Sequence, residues 1–277
     1  MIFKARPVFS PRPWGDPRLN ELFGVESDRP IGEVWLLSGL EGHESSFSTE
    51  AGQPVELTEV VSATGLILPR FPLLIKLIST TDWLSVQVHP NDDLATRLEN
   101  EPWGKNEGWY FLSDGSVALG SITGDELKEA LETNTLRNAL KTVNVSKNDF
   151  LYLPAGILHA LGPGTSLLEV QQSSDITYRV FDWGRPRPLH IEKAILAVKP
   201  VKTSPKKVSG NIVTPYFTME FPKSSARVDG FAVVIEEDYS ICIVPCGESQ
   251  TFEKPWVVVR LGHWWYENFP TKRRKGL

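Results

Sequence analysis

Two of the five histidines in this 277-residue chain stand where side chains could meet on one metal ion. In LSVQVHP, strand alternation places Ser85, Gln87 and His89 on one face and Leu84, Val86 and Val88 on the other. Same-face neighbours on a strand have Cα atoms about 6.5–7 Å apart, close enough for their side chains to converge. Glu107 opens EGWYFL and shares its face with Trp109 and Phe111, and His159 follows the bend at Pro154 and Gly156 in LPAGILHAL, at a strand start. Two imidazoles, a carboxylate and an amide oxygen form a mixed nitrogen and oxygen set that suits zinc with an open position for water or substrate; manganese, cobalt or iron would also fit. The competing account treats these as unrelated polar residues, His89 before a turn and His159 after one, each hydrogen-bonded locally.

Positioning such a set requires strands, and the chain is rich in them. Short segments with period-two alternation recur between turns: WLSVQVH, EGWYFL, FLYLPAG, SLLEVQQ, TYRVFDW, FAVVIEE, SICIVPC and WVVVRLG. Many short strands at close spacing predict a mainly β protein, a sandwich or barrel with few helices. One helix is expected behind Pro90, opened by Asn91 with Leu94, Ala95 and Leu98 as its apolar face. A second covers DELKEALE and resumes after a break in TLRNAL, with Leu127, Leu131, Leu136 and Leu140 as the buried stripe. The Lys- and Pro-rich VKPVKTSPKKVSGN reads as a linker. It separates an N-terminal domain over 1–200, carrying the candidate metal site, from a smaller C-terminal β-domain over 210–277.

Composition narrows the function. The formal charge is −5 with 41% hydrophobic and 23% charged residues, ordinary values for a soluble globular protein. A dedicated nucleic-acid binder would carry an excess of Lys and Arg, and only the terminal TKRRKG is densely basic, as a solvated tail. No apolar run approaches the roughly 18 residues of a membrane span. The prolines of MIFKARPVFSPRPWGD interrupt any secretory h-region, so a cytoplasmic protein is expected. Cys242 and Cys246 fit neither a two-residue redox motif nor a disulfide framework and are expected to be a buried, reduced pair. Oligomeric state has no signature in the sequence.

Taken in order, LSVQVHPND, GKNEGWYFL, LPAGILHALGPG and EVQQSSDITYRVFDWGR resemble the type I mannose-6-phosphate isomerases, with IGEVWLLS, PLLIKLI and PLHIEKA in agreement. The motifs run from about Pro11 to Ala194, and the length resembles the compact bacterial form. The resemblance implies jelly-roll barrels of the cupin superfamily and one zinc ion per chain held by Gln87, His89, Glu107 and His159. It also points to Lys76, Lys105 and Arg179 as catalytic and substrate-binding residues. Lys76 lies among apolar neighbours in PLLIKLI, costly for an ammonium without a partner or a functional cavity. Lys105 is two residues from Glu107. Arg179 could hold a phosphate bidentately or be an ion-pair partner of Asp175 or Asp182. Glu169 and Gln171 share a face and could support the site from behind, whereas His190 is expected to begin a helix. Where the family has a GKTECWY-like motif, this chain has Asn106 and Gly108; loss of a side chain at 108 is expected to alter pocket volume and substrate preference.

The implied reaction interconverts mannose 6-phosphate and fructose 6-phosphate, in mannose metabolism, through a cis-enediol, with a phosphosugar as the small-molecule partner and neither nucleic acid nor membrane. It leaves the proton carrier open between a histidine, a lysine and a metal-bound water. The rivals are a metal-dependent cupin oxygenase, which leaves Lys76, Lys105 and Arg179 without a role, and a non-catalytic cupin that binds a phosphosugar.

Overall fold

The computed structural model describes residues 1–272; from residue 273 on, the basic TKRRKG stretch lies outside the described residues. The protein is mainly β, with six short α-helices among the described residues. Its chain divides into two compact units. One comprises Met1–Val8, Trp35–Ile75 and Val208–Leu277, and the other Phe9–Val34 and Lys76–Lys207. The change of unit at 207/208 falls within the Lys- and Pro-rich stretch read as a linker. The unit that takes in residues 208–277 also takes in two earlier segments, because Phe3–Arg6 pairs on one side with Ile241–Val244 and on the other with Ser46–Thr49. Such antiparallel pairing is long-range and leaves no mark in local composition.

The second unit carries the candidate site. A five-stranded sheet runs Lys141–Val145, Gly115–Gly120, Leu158–Leu161, Val86–Val88, Tyr178–Phe181, and a seven-stranded sheet includes Asp149–Leu153, Glu107–Phe111 and Ser166–Gln172 as neighbours. Both are open: among the described residues no sheet closes on itself. Alternation sorts the residues of each strand between two environments. Trp109, Phe111, Leu151 and Leu167 of one sheet meet Val117, Val145 and Leu161 of the other in a single buried core. On the reverse face of the five-stranded sheet, Val86, Val88, Leu158, Ala160 and Val180 are covered by Leu94, Leu127 and Ala194 of the helices Asp92–Glu99, Gly124–Glu132 and Ile191–Ala197. The first of these is capped by Asn91, whose side chain accepts from Leu94 N. The second carries a Thr123/Glu126 capping box. Asn134, in the left-handed region at φ 54°, ends it, so TLRNAL forms only a 3₁₀ turn at Leu136–Ala139. No helix among the described residues is long and apolar enough to cross a membrane.

Three local expectations change. The strand in WLSVQVH shortens to Val86–Val88, since the carbonyls of Trp83 and Leu84 accept from Arg185 Nη2 and Trp183 Nε1. Cys242 is buried but Cys246 is exposed, one residue being in a strand and the other in the turn that follows it. Position 108 faces away from Glu107 by strand alternation, pairing with Tyr152 and Val170, so the side chain absent at Gly108 is absent from the opposite face of that strand.

Candidate metal centre and anion site

Strand register assembles the site. His159 is paired with Gln87, and Gln87 in turn with Arg179, which lines up three polar side chains across the five-stranded sheet. On the other sheet Glu107 is paired with Gln171, and Trp109 with Glu169. His89 follows Val88 directly, where the chain leaves its strand, and Gly104 lets the Lys105 segment pass close beneath it: a Cβ at 104 would lie 2.3 Å from Pro90 O. The Lys105 N–H donates to that same carbonyl.

His89, Glu107 and His159 converge, with ligand atoms all within 4.8 Å of one another, and none of the three is more than 2% exposed. His89 Nε2 lies 3.2 Å from Glu107 Oε1 and His159 Nε2 3.7 Å from Glu107 Oε2. Each imidazole is oriented from behind. His89 Nδ1 donates to Ile176 O at 2.8 Å and His159 Nδ1 to Ile157 O at 3.0 Å, which fixes the tautomer that leaves both Nε2 lone pairs pointing at the carboxylate. Burial, with the neighbouring Lys105, pulls the His89 pKa down to about 4, and burial lowers that of His159 as well. Burial opposes ionisation of Glu107, yet the Lys105 ammonium beside it outweighs that and holds the carboxyl well below its ordinary value. Near neutral pH the cluster therefore consists of two neutral imidazoles facing a carboxylate. Among the described residues, His89 Nε2 and Glu107 Oε2 are buried with no hydrogen-bond partner. Lone pairs directed at a carboxylate in a buried site repel it, and a divalent cation among them reconciles the arrangement. The residues fit a metal ion.

Around this triad lies a second layer of charge. Lys105 Nζ is 3.0 Å from Glu107 Oε1. Lys76 is buried rather than reaching the surface, its Nζ 3.1 Å from Glu169 Oε2 and 4.0 Å from Glu33 Oε2. Burial disfavours its charge, but Glu169 and Glu33 override that and keep the ammonium protonated. Glu169 is held in turn by Trp109 Nε1 at 2.8 Å, and the Trp109 ring meets the His159 ring edge-on at 5.5 Å. Arg179 forms no ion pair with Asp175 or Asp182 among the described residues, because Arg185 and Arg187 occupy the Asp182 carboxylate. Its Nη1 donates to Pro188 O, and its Nε has no hydrogen-bond partner among the described residues. Gln87 is half-buried with its amide nitrogen 3.4 Å from His159 Nε2.

Three participants were not foreseen from sequence. Arg12 grips Glu33 with two hydrogen bonds across 21 residues of sequence, a pairing that no local pattern announces. His190 precedes the helix Ile191–Ala197, as expected, but makes no side-chain cap; its Nδ1 accepts from Arg179 N. Asn106 ties Gln172 to the Ala155 turn that leads into His159.

Two β-sheets that share a buried core, with a His, Glu, His cluster drawn from both, define a protein of the cupin class. Residues 2–107 match the family model "Phosphomannose isomerase type I, catalytic domain". The chain is 36% identical over 249 residues to the Bacillus subtilis protein named "Probable mannose-6-phosphate isomerase GmuF", spanning 80% of this chain and 79% of that one. It is 34% identical over 233 residues to the mannose-6-phosphate isomerase of Streptococcus mutans, spanning 74% and 73%. The crystal structure of the mannose 6-phosphate isomerase from Bacillus subtilis superimposes with a TM-score of 0.73 at 26% identity, over 94% of this chain and 97% of that one. The chain belongs to the type I mannose-6-phosphate isomerase family.

Proposed function

We propose that the protein interconverts mannose 6-phosphate and fructose 6-phosphate through a cis-enediol, at a metal site held by His89, Glu107, His159 and Gln87. The observation that carries this is the convergence of His89, His159 and Glu107, with both Nδ1 atoms committed to backbone carbonyls and the Nε2 lone pairs facing a buried carboxylate. Gln87 joins the set by turning its amide over, so that Oε1 rather than Nε2 faces His159. Zinc is the ion that the donor set favours, and once bound it supplies Lewis-acid charge to the O1/O2 end of the open-chain sugar.

The chain's own groups do the rest. Lys105, against Glu107, and Lys76, against Glu169, supply two ammonium groups to the negative charge that grows as the proton moves between C2 and C1. Arg179, whose guanidinium is not consumed by a carboxylate, takes the phosphate. Trp109 and the apolar core behind it exclude water from the buried side, which strengthens each of these charges. This local field lets a protein of net charge −5 bind an anion.

The test is formation of fructose 6-phosphate from mannose 6-phosphate by the purified protein, with and without chelator and after zinc add-back. Turnover that disappears with chelator and returns with zinc supports the proposal. Absence of turnover in protein that holds one metal per chain overturns it in favour of a cupin that binds a phosphosugar without reaction.

A further inference from the structure

On the reverse face of the five-stranded sheet a groove of about 330 Å³ is lined by Leu131, Leu136, Leu140, Val86, Phe181 and Trp183. Val86 faces away from Gln87 by strand alternation, so the groove is separate from the His89, Glu107, His159 cluster. Three features mark it as built. The leucine stripe expected to be buried is covered only at Leu127, while Leu131, Leu136 and Leu140 stay half-exposed along the groove. A register shift between Arg179 and Phe181 re-aims Phe181, which is 41% exposed. Trp183 sits at φ 55°, in the left-handed region that a bulky side chain rarely occupies. Its Nε1 is tied to Leu84 O at 2.7 Å, and its ring meets Phe181 edge-on at 5.1 Å and Trp83 at 5.6 Å. Strain and a strand irregularity together hold two aromatic rings open to solvent, where ordinary packing would bury them. The lining includes one cation, the exposed Arg137, and no carboxylate.

We propose that this groove is a second ligand site, for a small amphipathic carboxylate whose flat apolar body lies against Phe181 and Trp183 and whose anionic group meets Arg137. The volume suits a small molecule, and a planar guanidinium recognises a carboxylate bidentately. The test is calorimetric titration of the purified protein with 2-naphthoate, and with its neutral analogue 2-naphthamide. One naphthoate per chain is expected, bound about tenfold tighter than the amide. Arg137→Gln should erase that preference and leave isomerisation unchanged. Trp183→Gly, which also relieves the backbone strain, and Phe181→Ala should each weaken both probes. Absence of saturable binding, equal affinity for the two probes, or undiminished naphthoate affinity in Arg137→Gln would overturn the proposal. So would sedimentation showing a dimer that Arg137→Gln and Trp183→Gly dissociate, which would assign the groove to a second copy of the chain.

Discussion

Replacing Lys76 by methionine keeps the unbranched stem and removes the charge. Lys76 is 5% exposed and Glu169 2%, with Nζ and Oε2 3.1 Å apart. The substitution leaves the Glu169 carboxylate in the core with its Trp109 hydrogen bond but without its cation. Breaking a buried pair from one side costs about 3–5 kcal/mol, because the surviving charge is no longer compensated. With a urea slope of about 3 kcal/mol/M, the unfolding midpoint should fall by about 1–1.7 M. Lys76→Met combined with Glu169→Gln removes both charges while keeping an acceptor for Trp109 Nε1, and should recover most of that loss, since exchanging a buried pair for neutral groups is often close to neutral in stability. Equilibrium urea unfolding followed by fluorescence reads both variants. A shift below about 0.3 M for Lys76→Met, or a double variant no more stable than the single one, would refute the argument that Glu169 depends on Lys76 for its place in the core.

Other perturbations probe separate parts of the account. Arg179→Ala should leave metal content intact and lower kcat/KM for mannose 6-phosphate by about 10–150-fold, the value of a hydrogen bond to a charged group; unchanged turnover would remove Arg179 from the site. Gly104→Ala brings a methyl group onto Pro90 O and must displace the chain just after His89, so chelator titration should show weaker metal retention as well as reduced thermal stability. Acid stability tests Asp16. Burial pushes its carboxyl up, but hydrogen bonds from the Arg18 side chain and backbone N–H and from Ser79 prevail and hold it below its ordinary 3.8. A lowered folded pKa means that the stabilisation is complete above the unfolded value and drains away as pH falls through the folded one. Asp16→Asn preserves the helix cap and should therefore lose stability at neutral pH while showing a smaller further loss in acid; parallel acid-unfolding curves for the two proteins would contradict this.

Strand alternation was enough to put Gln87 beside His89, Glu107 beside Trp109 and Glu169 beside Gln171, because side-chain direction on a strand follows from parity alone. Asn91 and the Pro90 turn likewise announced their helix. What alternation does not carry is the register between distant strands. The pairing of His159 with Gln87 spans 72 residues, and Arg12 reaches Glu33 only after its strand is docked, so neither contact has a local signature. The two units interleave along the chain for the same reason. Lys76 was legible as an anomaly in an apolar run, but its partner was not. Parity put Trp109 on the face of Glu107, but its role as the donor that orients Glu169 depends on the neighbouring strand. Cys246 was misplaced because its residue type was weighed alone, whereas Pro245 and Gly247 on either side of it turn the chain outward after the strand Ile241–Val244.

The central claim is that His89, Glu107 and His159 hold an ion on which turnover depends. Metal content and isomerisation of mannose 6-phosphate, measured on the same preparations of the wild-type protein and of His89→Ala, test it most directly. One divalent ion per chain with turnover in the wild type, and loss of both in the variant, is the predicted result. A full complement of metal in His89→Ala, or turnover surviving without any metal, would contradict the account.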